Sequence, residues 1–256
     1  MKTIEELKAS VLEDGIIDAS EVLEIKETIY ADGLIDKDEA NFLFQLNDAV
    51  SGKDNAVEWQ SLFVEALTDF VLKDEISPGE VDAEEAATLI SQIKGDGAVD
   101  SIELALLVNI IDSATKCDDS LIEFTLQSVK EAVLADGVVD LEEVQMLKKV
   151  IYGEGGADGA SVDRIEADLL FEINDAVSGK NNVSEWSEFF VEAISSHVLD
   201  DDESPNEIDE AEGDWLIAQI EGDGEYDETE KALLANIKAK ATSITGKLKL
   251  KMEEFA

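Results

Sequence analysis

The side chains best placed to do chemistry in this chain are carboxylates at one fixed spacing. The pattern Asp-Gly-x-x-Asp-x-x-Glu recurs five times, through Asp14, Asp18 and Glu21; Asp32, Asp36 and Glu39; Asp96, Asp100 and Glu103; Asp136, Asp140 and Glu143; and Asp223, Asp227 and Glu230. Carboxylates so spaced can hold a divalent cation, because they match the second half of a calcium loop, with Asp at position 5, Gly at 6, Asp at 9 and Glu at 12. The first half is missing. Positions 1 and 3 fall on Ser10 and Leu12, on Thr28 and Tyr30, or on Gln92 and Lys94, which removes both charge and oxygen ligands. The same letters also have an architectural chemistry. Glycine leaves one helix in the left-handed conformation, the next Asp caps the following helix, and the Glu three residues on closes a capping box. The apolar residue before the second Asp, Ile17 or Val99 for example, tucks the turn onto a core. A cap of this kind contributes about 1 kcal/mol, so capping is the preferred reading of the five turns.

Two longer loops supply part of what the short turns lack. Asp74, Asp82 and Glu85 stand at positions 1, 9 and 12 of a calcium-loop register, and Asp201, Glu203, Asp209 and Glu212 at positions 1, 3, 9 and 12. Both loops carry Pro at position 5, where a ligand is expected. They are the better candidates for a weak divalent site, with a solvated acidic loop as the competing reading. A third polar set comes from the segment NDAVSGK, found at 47–53 and again at 174–180. Asn47 and Asn174 occupy apolar positions of a helical stripe. They are expected to make structural hydrogen bonds, or to join Asp48 and Glu65, and Asp175 and Glu192, in a polar cluster able to hold an ion.

Other chemistries are excluded by composition. Cys117 is the only cysteine and His197 the only histidine, so neither an intrachain disulfide nor a Cys/His zinc site can form. His197 lies on a buried stripe and reads as a hydrogen-bonded core residue. Ser-Gly-Lys lacks the upstream glycine and strand of a phosphate loop. There is no Ser/His/Asp arrangement, and no catalytic residue or required cofactor is expected; the only optional ligand is Ca2+ or another divalent cation. The net charge of −43, from 62 acidic against 19 basic residues, repels a phosphate backbone and attracts basic protein surfaces. No apolar run approaches the roughly 18 residues of a spanning helix. Direct membrane insertion is not expected, and the reading is cytoplasmic.

The elements that must position these residues come in two copies. Residues 14–109 align with 136–236, through the shared NDAVSGK, Trp59 with Trp186, and FVEA at 63–66 with 190–193. The fold class predicted is all-α, two tandem bundles of about six helices each. The expected boundaries are 1–117, 118–243 and a basic C-terminal tail at 244–256. Trp59, Leu62, Phe63, Ala66, Leu67, Phe70 and Val71 share one face of a helix, and Trp186, Phe189, Phe190, Ala193, Ile194, His197 and Val198 repeat it. No alternating strand pattern competes. The charge is uneven, with no Lys or Arg between residues 181 and 230 and five lysines between 238 and 251.

The Ala-Asp-Gly-x-aliphatic-Asp-x-x-Glu pattern at 31–39 and 135–143, and less closely at 95–103 and 222–230, resembles the tellurite-resistance TerB-like family of bacterial proteins. That resemblance implies an all-helical fold, metal binding through acidic residues, and membrane-linked stress or defence complexes. A more distant resemblance to EF-hand proteins covers half a loop. The leading expectation is a non-enzymatic interaction or scaffold module, optionally binding divalent cations, with a basic-surfaced protein partner. The alternatives are a dedicated calcium sensor or buffer, an acidic decoy or nucleic-acid mimic, and a hidden hydrolase.

Overall fold

A computed structural model describes residues 3–74, 77–95, 97, 99–153, 162–200, 205–222, 224 and 226–254. The chain is all-α, with thirteen helices among the described residues. Its contacts divide it into two compact units, and the division falls between Thr125 and Leu126. Unit 1 holds α1 (Ile4–Asp14), α2 (Ala19–Ile29), α3 (Lys37–Val50), α4 (Val57–Leu72), α5 (Ala83–Ile93) and α6 (Ser101–Ser113). The helix α7 (Asp119–Val133) contains the division. Unit 2 continues with α8 (Leu141–Tyr152), α9 (Arg164–Val177), α10 (Ser184–Leu199), α11 (Glu210–Ile220), α12 (Glu228–Lys240) and α13 (Gly246–Glu254).

Each unit is built around one helix. In unit 1, α4 packs on α2, α3 and α6; in unit 2, α10 packs on α8, α9 and α12. The reason is the apolar stripe read from the sequence. Trp59, Leu62, Phe63, Ala66 and Leu67 are buried, as are Trp186, Phe189, Phe190, Ala193 and Ile194. Each fully buried large apolar side chain stabilises the core by about 1.5–3 kcal/mol, so truncating Phe63 would remove a central support. Aromatic edges meet across the elements, Phe44 on Phe63 at 5.5 Å and Phe171 on Phe190 at 5.0 Å.

Short strands appear where none was expected. β1 (Glu80–Val81) pairs in parallel with β2 (Lys116–Cys117), and β3 (Glu207–Ile208) with β4 (Ser243–Ile244). Two residues cannot display a period of two, so no alternation was there to be read. These ladders tie the loop before α5 to the one before α7, and the loop before α11 to the one before α13. Backbone bonds extend them, Thr115 N–H to Gly79 O at 2.7 Å and Thr242 N–H to Asn206 O at 2.7 Å.

The segment read as a basic tail is part of unit 2. Ser243 and Ile244 lie in β4, and α13 packs on α11 with Leu248 and Met252 buried. Lys247 pairs with Asp214 at 2.9 Å and Lys251 with Glu221, so the lysines cover a carboxylate of α11 and one at its C-cap. The register that places Asn174 on Asn47 places α13 on the start of α7, while the upstream register, Tyr152 on Tyr30, places α1 on the end of α7. Under these two registers α7 spans the positions of both α13 and α1.

Candidate functional site

The carboxylates singled out by their spacing face backbone amides. Asp18, Asp36, Asp100, Asp140 and Asp227 are the N-caps of α2, α3, α6, α8 and α12, and in each the Glu three residues later returns a bond to the cap's own N–H. In the second motif, for instance, Asp36 Oδ1 accepts from Glu39 N–H at 2.9 Å while Glu39 Oε2 accepts from Asp36 N–H at 2.9 Å. The first Asp of a motif closes the turn itself. Asp14, Asp32 and Asp136 accept from Ile16, Leu34 and Val138 N–H at 3.1, 3.2 and 3.0 Å. Gly15, Gly33, Gly97, Gly137 and Gly224 all have positive φ, the conformation that selects glycine there. Asp96 and Asp223 lie outside the described residues.

The two longer loops each end in a capping box of the same kind. Asp82 and Glu85 are the N-cap and box partner of α5, and Asp209 and Glu212 those of α11. Asp74 accepts from Ser77 N–H at 3.0 Å, and Glu85 Oε2 also accepts from Ser77 Oγ at 3.2 Å. Asp201 and Glu203 fall outside the described residues. Among the described residues of these loops, Asp82, Glu85, Asp209 and Glu212 direct carboxylate oxygens at the amides that start α5 and α11. Among the described residues no three His, Cys, Asp or Glu side chains converge on a common point suited to a metal. Burial raises the carboxyls of Glu39, Glu85 and Glu143 above their ordinary range, as expected for side chains folded back under a helix start.

The paired asparagines are also structural. Asn47 is buried, donates to Asp100 Oδ2 at 2.9 Å and accepts from Trp59 Nε1 at 3.3 Å. It thereby joins the central helix to the cap of α6. Asn174 donates to Asp227 Oδ2 at 2.9 Å. Of the other members of the expected cluster, Glu65 pairs with Lys26 at 2.6 Å, Asp48 and Glu192 are exposed, and Asp175 is half-buried. The lysine of NDAVSGK has a local role, since Lys53 Nζ donates to Ala49 O at 2.9 Å and stands over Gly15.

Two asparagines that hold the turns escaped the sequence reading. Asn55 Oδ1 accepts from Ile17 N–H and its Nδ2 donates to Val50 O, both at 2.9 Å, latching the α1–α2 turn to the end of α3. Asn182 does the same for Val139 and Val177. Their recurrence three residues from the shared glycine was the available signal.

His197 is half-buried, and its Nδ1 lies 2.8 Å from Val162 O, so the neutral ring donates to that carbonyl. Burial lowers its basicity. Its ring stands 4.8 Å from that of Trp215, edge to face. Trp215 also meets Phe171 at 5.8 Å, lies under the Arg164 guanidinium at 4.4 Å, and donates from Nε1 to Asp168 Oδ1 at 2.8 Å. Gln219 Nε2 donates to the same oxygen at 2.8 Å.

Unit 1 carries threonine where unit 2 has this tryptophan. Thr88 is exposed on α5, and beside it lies a pocket of about 280 Å3 bounded by α3, α4 and α5. Phe44, Phe70 and Leu89 give it apolar walls, and Asp74, Asp82, Glu84 and Glu85 an acidic rim with Lys37 as the one cation among the lining residues. Such an arrangement can accept an apolar group flanked by positive charge. Comparison with known protein families, with curated proteins and with solved structures finds no match to this chain.

Proposed function

We propose that this chain is a non-enzymatic interaction module whose acidic helical surface binds a protein partner with a basic face. The observation that supports this most is a division among its carboxylates. Those in the turns face backbone amides, while others, including Glu58, Glu65, Glu84 and Glu185, are exposed along helix faces. Between residues 181 and 230 no lysine or arginine interrupts them. A field of this kind draws a basic surface in from beyond contact distance and shortens its reach as salt rises. The TerB-like resemblance supplies the biological setting of the proposal, a bacterial stress-response assembly in the cytoplasm, and the proposal requires no ion.

The test is affinity capture on the immobilised chain at about 50 mM and about 500 mM salt, which changes the screening length severalfold. Basic proteins retained at low salt and released at high salt support the reading. A charge-reversed variant of the exposed face of α10, with Glu185→Lys, Glu188→Lys and Glu192→Lys, should lose them. Capture that ignores both salt and the reversal would overturn it.

A further inference from the structure

The two units differ at one position in a way that identifies what the pocket of unit 1 can hold. Under the register that carries Asn47 onto Asn174, Thr88 corresponds to Trp215, Lys37 to Arg164, Asn41 to Asp168, Phe44 to Phe171, Phe70 to His197 and Gln92 to Gln219. In unit 2 the indole of Trp215 is 6% exposed and touches the residues equivalent to Lys37, Asn41, Phe44 and Phe70. In unit 1 those four residues line the pocket beside Thr88. The second unit therefore displays, in its own core, an occupant matched to the first unit's pocket.

We infer that this pocket receives a tryptophan side chain from a basic segment of the partner. The inference rests on reading the chain as an acidic interaction module, and it names the residue that module recognises. Three features choose tryptophan over another apolar group. Phe44 and Phe70 offer the aromatic edges that Phe171 and His197 present to Trp215. Lys37 stands where Arg164 covers the indole face and can supply the same cation–π contact. Asn41 Oδ1 accepts from Gln92 Nε2 at 2.9 Å and is oriented as Asp168 Oδ1 is, which accepts from a glutamine and an indole N–H together.

The flanking chemistry is set by the rim, where four carboxylates outnumber one ammonium. Lysine or arginine on either side of the tryptophan satisfies it, and an acidic segment is repelled. A second copy of this chain is a poor occupant. Its three tryptophans, Trp59, Trp186 and Trp215, are all buried, and its own charge of −43 opposes self-association.

The experiment uses the full chain and two synthetic probes, a lysine-flanked peptide with a central tryptophan and the same peptide with alanine there. Affinities are measured at low salt for the wild type and for Thr88→Trp, which fills the pocket as unit 2 does. The expected result is at least about tenfold tighter binding of the tryptophan peptide to the wild type. That advantage should vanish in Thr88→Trp, while weak, salt-sensitive binding of the alanine peptide persists in both. Amide shifts at Asn41, Thr88 and Gln92 on adding the tryptophan peptide to the wild type give a readout that needs no variant. Equal affinity for the two peptides, or an undiminished tryptophan advantage in Thr88→Trp, would overturn the pocket assignment and leave the acidic-surface reading standing. Failure of both peptides to bind at low salt would overturn both.

Discussion

Thr88→Trp is also a stability experiment, because unit 2 shows what the introduced side chain should touch. An indole buries roughly 150–250 Å2, which at about 25 cal/mol per Å2 corresponds to a gross gain of roughly 4–6 kcal/mol. Against this stand about 1 kcal/mol of side-chain ordering and the loss of the Thr88 Oγ bond to Glu84 O at 2.8 Å, itself a weak helix back-bond. Imperfect fit at this exposed position reduces the sum further, leaving a net stabilisation of about 1–3 kcal/mol. Circular dichroism during urea unfolding should show a higher midpoint with an unchanged slope, and heating a midpoint raised by roughly 2–8 °C. Acrylamide should quench the new indole poorly. Adding Asn41→Ala should take back about 1 kcal/mol, because the indole N–H then has no acceptor, and a double-mutant cycle isolates that coupling. A lowered midpoint, or an indole that quenches freely, would refute the claim that unit 1 holds the same pocket that Trp215 fills.

The remaining expectations concern other residues. The stability difference between wild type and His197→Phe should move in favour of phenylalanine as pH falls through about 6.5, the unfolded histidine's pKa. Burial holds the folded His197 below that value, so the unfolded chain takes up the proton first and the wild type loses stability on acidification. Asn47→Ala should cost about 1–3 kcal/mol in urea unfolding, since it strands the buried Trp59 N–H and loosens the α6 cap. Cys117, whose thiol burial pushes up to about 12, should resist iodoacetamide in the folded chain and react only at the rate at which unit 1 opens.

How much of this was legible follows from how local each feature is. The turns were readable because a left-handed glycine, a capping Asp and its Glu partner lie within eight residues and need no distant contact. The central helices were readable because Trp59 and Trp186 begin stripes seven side chains long. The Asp82–Glu85 and Asp209–Glu212 pairs were read as candidates for a weak divalent site, with a solvated acidic loop as the competing reading, since a capping box and the end of a calcium loop share the same spacing; both pairs close capping boxes. The box of Asp163 and Glu166 at the start of α9 was passed over because it follows the inserted stretch that breaks the repeat register. The exchange of Thr88 for Trp215 was visible as letters, but its meaning depends on Phe44, Phe70 and Asn41 arriving from two other helices. The lysine-rich end gave a charge pattern and only two apolar anchors, Leu248 and Met252, too few to announce a packed helix.

The most direct test of the account is whether the turn carboxylates serve helix starts or an ion. Unfolding free energies of the wild type and Asp36→Ala should be measured in chelator and in calcium at matched ionic strength, with calorimetric titration of calcium into metal-free protein. Asp36→Ala should lose about 1 kcal/mol equally in both conditions, and calcium should give no saturable heat in the micromolar range. A calcium-dependent rise in wild-type stability that disappears in Asp36→Ala, with a matching binding isotherm, would contradict it.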